Sequence, residues 1–149
     1  METFRFKISE VRIKWLPMNE FTIQTRSRTD FINIDRLVAE EVQEVGLVDG
    51  VVTVFIPHTT AGVTINENAD PDVMADMDLV LDQMVPWSGG YSHREGNTAA
   101  HVKASMVGSS VQVIVSDGKL QLGTWQSLFF CEFDGPRTRQ VWIKGTPTK

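Results

Sequence analysis

The hydrophobic pattern in the first half of the chain predicts a strand, a helix and a second strand. Apolar and polar residues alternate over residues 21–26, which is the period of a half-buried strand. A helix is predicted to begin at Asp35, whose carboxylate suits a helix cap. Its apolar positions recur at helical spacing: Leu37, Val38, Val42 and Val45. The β-branched run over residues 51–56 predicts a buried strand that ends at Pro57.

The second half predicts two more helices. Asp70 precedes Pro71, which places a capping carboxylate before a proline in the first helical turn. This helix extends to Pro86, and we interpret its apolar and methionine positions as core filler: Val73, Met74, Met77, Val80, Leu81 and Met84. A shorter helix is predicted from Asn97, as its cap, to Gly108, as its stop.

The rest of the pattern is rich in strands. Residues 62–66, 110–115, 127–133 and 138–143 each read as a strand. The last two flank Asp-Gly-Pro-Arg at residues 134–137, where Gly135 is free to adopt a positive φ, so we predict a β-hairpin. Few helices and many, mostly antiparallel strands predict a single α+β domain over residues 1–149 with two to three helices.

Composition and charge argue against several classes of function. The net charge of −5 disfavours nucleic-acid binding, which requires a basic face. No stretch approaches the roughly 20 apolar residues that cross a bilayer, and no apolar signal core is present, so we expect no membrane partner and a cytoplasmic location. The one cysteine, Cys131, lies in an apolar run and is interpreted as buried.

The three histidines are the strongest candidates for chemistry. His58, His93 and His101 each lie at an element boundary in polar, turn-rich sequence. Three neutral imidazoles that converge would hold Zn²⁺ with a fourth position open, as in catalytic zinc sites. Their spacing matches no compact ligand motif, so three unrelated histidines are the alternative.

Carboxylates and cations lie near the histidines in sequence. Glu67 and Glu95 are candidates for a general base or for orienting an imidazole. The glycine-rich residues 87–91 and 95–97 precede a helix whose free N–H groups could receive a phosphate. Arg94 and Arg137 are cations that could neutralise such a group.

Trp125 and Gln126 follow Gly123 and combine an apolar ring with an amide. That combination suits stacking and hydrogen bonding to a heteroaromatic ring. A plain core position for Trp125 is the alternative.

Several motifs carry a resemblance to a known family. They are Pro-His-Thr-Thr-Ala-Gly at residues 57–62, His-Arg-Glu-Gly-Asn at 93–97, Leu-Gly-Thr-Trp-Gln at 122–126 and Glu-Phe-Asp-Gly-Pro-Arg at 132–137. In this order they resemble the YjbQ-like family, which is linked to a secondary thiamine-phosphate synthase activity. The resemblance extends over residues 35–144.

The resemblance implies a β-sandwich-like α+β subunit that assembles as a homotrimer. It also implies a pocket between subunits in which His58, His93 and His101 surround a divalent metal, Zn²⁺ or Mg²⁺. The implied reaction joins a pyrimidine-methyl diphosphate to a thiazole phosphate and releases pyrophosphate. In this hypothesis the catalytic residues are Glu67, Glu95, Arg94 and Arg137, and the substrate-binding residues are Thr59, Asn97, Trp125 and Gln126.

Two other functions fit the same residues. A zinc-assisted hydrolase of a small metabolite would use a metal-bound water and a nearby glutamate. A non-catalytic trimer that binds a small molecule or anion would use the pocket without turnover.

Overall fold

Two antiparallel sheets and three helices make up residues 15–148, the part of the chain that the computed structural model describes. The strands are β1 (Met18–Gln24), β2 (Asp30–Asn33), β3 (Gly50–Phe55), β4 (Ala61–Glu67), β5 (Ser110–Ser116), β6 (Lys119–Leu120), β7 (Gln126–Glu132) and β8 (Thr138–Pro147). The helices are α1 (Asp35–Glu44), α2 (Pro71–Met84) and α3 (Thr98–Val107). One sheet has the order β1-β8-β3-β5-β6 and the other the order β2-β7-β4.

The main core lies between the sheets and α1. Val54 and Ile143 of the five-stranded sheet, Val63 and Phe130 of the three-stranded sheet and Val38 of α1 belong to one buried cluster. Burial of such side chains is the main driving force for folding. The predicted α+β class is therefore confirmed, with three helices.

The opposite face of the three-stranded sheet is covered by α3. Ala100 and Ala104 of α3 pack in a second buried cluster with Phe129, Cys131 and Phe133. Burial raises the pKa of the Cys131 thiol to about 12, so this thiol is inert at neutral pH. The interpretation of Cys131 as a buried residue is confirmed.

The predicted helix boundaries are mostly confirmed, but two caps differ. Asp70 caps α2 as predicted, with its Oδ1 accepting from the backbone N–H of Asp72 at 2.9 Å. At α1 the N-cap is Ile34, and the Oδ1 of Asp35 accepts from the N–H of Leu128 at 2.7 Å instead. Asn97 occupies the cap position of α3 but makes no side-chain cap hydrogen bond. In both cases a tertiary partner competes successfully with the local backbone.

The predicted hairpin between residues 127–133 and 138–143 is wrong. β7 pairs with β2 and β4, whereas β8 pairs with β1 and β3 in the other sheet. Both edges of β7 are occupied within its own sheet, so no edge is left for β8. A Cβ at Gly135 would lie 2.3 Å from the carbonyl oxygen of Ser27, so glycine is needed here for close packing and not for a positive φ.

α2 differs from its predicted role as a core helix. None of its residues is buried, and Val80 and Met84 are 48% and 62% exposed. Met74 and Leu81 do pack against the second cluster, so only one edge of the apolar face is used. Helical spacing predicts which face is apolar, but it does not say whether the rest of the chain covers that face.

No helix within residues 15–148 is long and apolar enough to cross a bilayer.

Candidate functional site

One end of the three-stranded sheet brings two of the three histidines to a common cleft. Ala61, at the start of β4, pairs with Glu132 at the end of β7. His58 lies in the loop before β4, and His101 lies on α3, which packs against this sheet. Both line a cleft of about 460 Å³, whose walls are His58, Thr59, Ala61, His101, Ala104, Ser105, Gly108 and Ser109.

His58 is held by the neighbouring strand. Its Nε2 accepts a hydrogen bond from the backbone N–H of Gln140 in β8 at 2.8 Å. Burial and the nearby guanidinium of Arg139 lower the pKa of His58. The imidazole is therefore neutral at pH 7.

The imidazole rings of His93 and His101 are in contact with each other. Their ring centres lie 5.3 Å apart in an edge-to-face arrangement. His93 Nε2 lies 3.8 Å from the Oε2 of Glu95, which is at the outer limit of an ion pair. Arg94, which lies between His93 and Glu95 in the sequence, is exposed. The motif at residues 93–97 therefore presents an imidazole, a carboxylate and a guanidinium beside α3.

A buried ion pair supports the loop that carries His58. Arg139 donates from Nη2 and Nε to the two carboxylate oxygens of Glu132, at 2.6 and 2.8 Å, and both side chains are buried. The same Nη2 donates to Thr60 Oγ1 at 2.7 Å. Sequence reasoning missed this pair. The available signal was a charged residue inside each of two apolar strand patterns, since buried charges require partners.

Asn97 and Arg137 meet at Asp134. Asn97 Nδ2 and Arg137 Nη2 donate to Asp134 Oδ2 at 3.0 and 2.8 Å, and Arg137 Nε also donates to the backbone carbonyl of Asp134. Burial opposes ionisation of Asp134, but these hydrogen bonds outweigh it and lower the pKa of the carboxyl group. Asn97 Oδ1 and Thr98 Oγ1 are buried, and neither has a partner within residues 15–148. Arg137 is thus partly committed to Asp134.

Glu67, Trp125 and Gln126 lie at the opposite end of the same sheet. Glu67 pairs with Gln126 at the far end of the β4–β7 ladder, six residues beyond Ala61. At about 3.3 Å per residue this is roughly 20 Å from the histidine cleft. Trp125 is 66% exposed, so its alternative as a core residue is wrong. Gln126 Oε1 accepts from the N–H of Gly123 at 2.8 Å and so closes a turn.

The chain as folded therefore divides the candidate residues into two clusters. The histidine end holds those that follow β3 or surround the start of α3: His58, Thr59, His93, Arg94, Glu95, Asn97, His101 and Arg137. The tryptophan end holds Glu67, Trp125 and Gln126.

The fold does not bring the three predicted metal ligands into one site. Within residues 15–148, no group of three or more His, Cys, Asp or Glu side chains is arranged to hold a metal ion. His58 in particular has its Nε2 lone pair engaged by Gln140. The three histidines, as arranged, do not form the predicted three-ligand metal site with an open fourth position.

Comparison with known proteins identifies the family. The model of the family described as UPF0047 protein YjbQ-like matches residues 19–147. The UPF0047 protein YugU of Bacillus subtilis is 54% identical over 123 residues, covering 82% of this chain and 93% of that protein. The chain belongs to the YjbQ-like family. The YjbQ protein of Escherichia coli is 33% identical over 114 residues, covering 74% of this chain and 83% of that protein.

Solved structures share the YjbQ-like fold. A conserved protein of the YjbQ/UPF0047 family from Clostridium acetobutylicum matches with a TM-score of 0.84 at 54% identity, covering 85% of this chain and 98% of that chain. A YbjQ-like protein of unknown function from Sulfolobus solfataricus matches with a TM-score of 0.85 at 27% identity, covering 89% and 97%. The matched region of this YjbQ-like chain includes both clusters of candidate residues.

Proposed function

We propose that this protein is an enzyme that acts on phosphorylated small molecules, with a thiamine-phosphate synthase reaction as its specific activity. The reaction breaks the bond between the pyrimidine methylene carbon and the diphosphate oxygen. It forms a bond from that carbon to the thiazole nitrogen, and pyrophosphate leaves. The observation that carries the proposal is the histidine end of the sheet, where His58 and His101 share a cleft with hydroxyl side chains.

The candidate residues of the two clusters have distinct roles in this proposal. Arg94 and Arg137 neutralise the departing pyrophosphate, because stabilising charge that develops in the transition state is a large part of catalysis. Thr59 and Asn97 bind phosphate oxygens, and Glu95 takes up or donates protons beside His93. Trp125 and Gln126 receive the pyrimidine ring, and Glu67 lies with them.

These roles require that the two clusters meet, so we also propose that the pocket forms between subunits of a homotrimer. The tryptophan end of one subunit would complete the histidine end of the next. Two observations support this: the separation of roughly 20 Å within one subunit, and the exposed apolar side chains of α2 and α3, Leu79, Val80, Met84, Val102 and Met106.

Mixed trimers test the shared pocket. His101→Ala and Trp125→Ala subunits, each strongly impaired alone, should regain activity when they are unfolded and refolded together. Trimers that contain both kinds of subunit would have at least one pocket with neither substitution. Mixing His101→Ala with His58→Ala, both from the same end, is the matched control and should restore nothing. Absence of complementation in the first mixture would refute a shared pocket.

A divalent metal, Zn²⁺ or Mg²⁺, is part of the proposal, with His93 and His101 as its ligands from this chain and pyrophosphate oxygens completing its coordination. Imidazole nitrogens are donors of the type that zinc takes, and magnesium commonly completes its coordination with substrate phosphates. The bound metal would neutralise pyrophosphate charge. Because one subunit offers no complete site, metal content should rise when pyrophosphate is added. Elemental analysis with and without pyrophosphate measures this.

The assay of the reaction is direct. Purified protein is given both substrates, and thiamine phosphate is detected by mass. His101→Ala should lower kcat/KM by about a hundredfold if its imidazole serves in acid–base chemistry. Glu44→Gln, an exposed change at the end of α1, is the control and should retain full activity. Turnover that is unaffected by both His58→Ala and His101→Ala would remove the cleft from the mechanism.

A hydrolase is the second candidate, and the His93–Glu95 pair beside His101 favours it. Hydrolysis of a small metabolite would follow zinc occupancy, because zinc lowers the pKa of a bound water. The non-catalytic alternative is distinguished by ligand-dependent thermal stabilisation without any turnover.

A further inference from the structure

The hydrogen bond to His58 determines where its ring proton lies. The β3–β8 ladder ends where Phe55 pairs with Trp142. Two residues before Trp142 in β8, the backbone N–H of Gln140 donates a hydrogen bond to Nε2 of His58 at 2.8 Å. A ring nitrogen that accepts a hydrogen bond uses its lone pair and carries no proton.

In neutral imidazole the single proton must then lie on Nδ1. Burial and Arg139 lower the pKa of His58, which is consistent with a neutral ring. With Nε2 engaged and Nδ1 protonated, neither nitrogen has a lone pair for a metal ion. His58 lines the cleft, and its one N–H donor is then on Nδ1.

The surrounding cleft is rich in donors. Thr59 and Ser109 contribute hydroxyl groups, whereas Ser105 Oγ already donates to the carbonyl of His101, and no carboxylate is among the described lining residues. Donors without a competing negative charge suit an oxyanion.

We infer that His58 binds a phosphate-type oxyanion in this cleft through its Nδ1–H and is not a metal ligand. The ligand class rests on the proposed function, whereas the tautomer rests on the geometry alone.

Both partners of the hydrogen bond are anchored by the buried ion pair. Arg139, which directly precedes Gln140, binds Glu132 through two nitrogens and also binds Thr60, two residues after His58. The strand that donates to the imidazole and the loop that carries it are thus tied to the same guanidinium. This fixes the ring before any ligand arrives.

The tautomer is measured on the unmodified protein by long-range ¹H–¹⁵N correlation spectroscopy of the histidine rings. We expect Nε2 of His58 to resonate as an unprotonated nitrogen and Nδ1 as a protonated one. Titration with inorganic pyrophosphate should shift Nδ1, and added Zn²⁺ should leave both nitrogens of His58 unchanged. An Nε2–H tautomer, or a His58 signal that responds to Zn²⁺, would overturn the inference.

Two substitutions separate the ring positions. The amide of Asn reaches about the place of Nδ1, and that of Gln about the place of Nε2. His58→Asn should keep the Kd for pyrophosphate within about threefold of wild type, whereas His58→Gln should weaken it about tenfold, the effect of losing one hydrogen bond to a charged group. Calorimetric titration measures both, with Glu44→Gln as the control. The reverse order of the two variants, or no binding of pyrophosphate by wild type, would contradict the inference.

Failure of the proposed function would look different. If no thiamine phosphate forms but pyrophosphate still shifts His58 Nδ1, the synthase proposal falls and the inference stands.

Discussion

At the scale of single residues, the ion pair between Glu132 and Arg139 is buried and hydrogen-bonded on every side. Every oxygen of the carboxylate is occupied: Oε1 also accepts from the N–H groups of Phe133 and Asp134, and Oε2 from Thr25 Oγ1. Removing one partner of such a pair leaves an uncompensated buried charge. The pair links the two sheets, because Glu132 ends β7 and Arg139 lies in β8.

Arg139→Met should lower the free energy of unfolding by about 3–5 kcal/mol, because Glu132 would remain buried without its counter-ion. Urea unfolding followed by circular dichroism measures the change. Arg36→Met, which breaks the exposed pair with Glu40, is the matched control and should leave the unfolding midpoint essentially unchanged. Equal effects of the two substitutions would mean that the buried pair adds little.

At the scale of elements, the start of α3 is tied to the β7–β8 connection. Asn97 at the α3 cap and Arg137 before β8 both donate to Asp134. The side chain of Asn97 therefore serves tertiary structure instead of capping its own helix. This connection carries the 93–97 motif against the end of the sheet, beside the cleft.

The lowered pKa of Asp134 predicts a pH-dependent contribution to stability. Because its pKa in the folded protein is below the ordinary 3.8, the carboxylate stabilises the fold above that pH, and this stabilisation is lost as pH falls through the folded pKa. Asp134→Asn should therefore be less stable than wild type by about 1–2 kcal/mol at pH 7. The difference should shrink below about pH 4. Denaturant unfolding at several pH values measures it, and a difference that grows in acid would contradict this account.

At the scale of the whole molecule, the apolar face of α2 is the main unexplained surface. Its link to the rest of the domain includes an ion pair between Asp82 and the buried Lys103 of α3 and a contact from Asn66 to Met77. Leu79, Val80 and Met84 remain exposed. Contiguous exposed apolar surface of this kind marks interaction sites, which is the basis for the proposed trimer.

Val80→Glu with Met84→Glu should dissociate the proposed trimer, because each carboxylate would lose its hydration at the interface. Light scattering after size-exclusion chromatography measures the mass. The control is Val48→Glu, which places the same charge at an exposed valine between α1 and β3. This change should leave the mass unchanged. A monomeric wild type, or a double variant of unchanged mass, would remove α2 from the interface.

The amino-acid sequence by itself determined most elements and the family. Alternation gave β1, helical spacing gave α1 and α2, and Asp70 with Pro71 marked a helix start correctly, because these signals depend on residues close in the chain. The tertiary structure alone decided the rest. It placed β7 and β8 in different sheets. The side chains of Asp35 and Asn97, which were predicted to cap helices, instead form hydrogen bonds with the distant Leu128 and Asp134. Nε2 of His58 accepts a hydrogen bond from Gln140. These outcomes depend on which distant groups compete for the same edge, lone pair or N–H, and local pattern does not specify that competition.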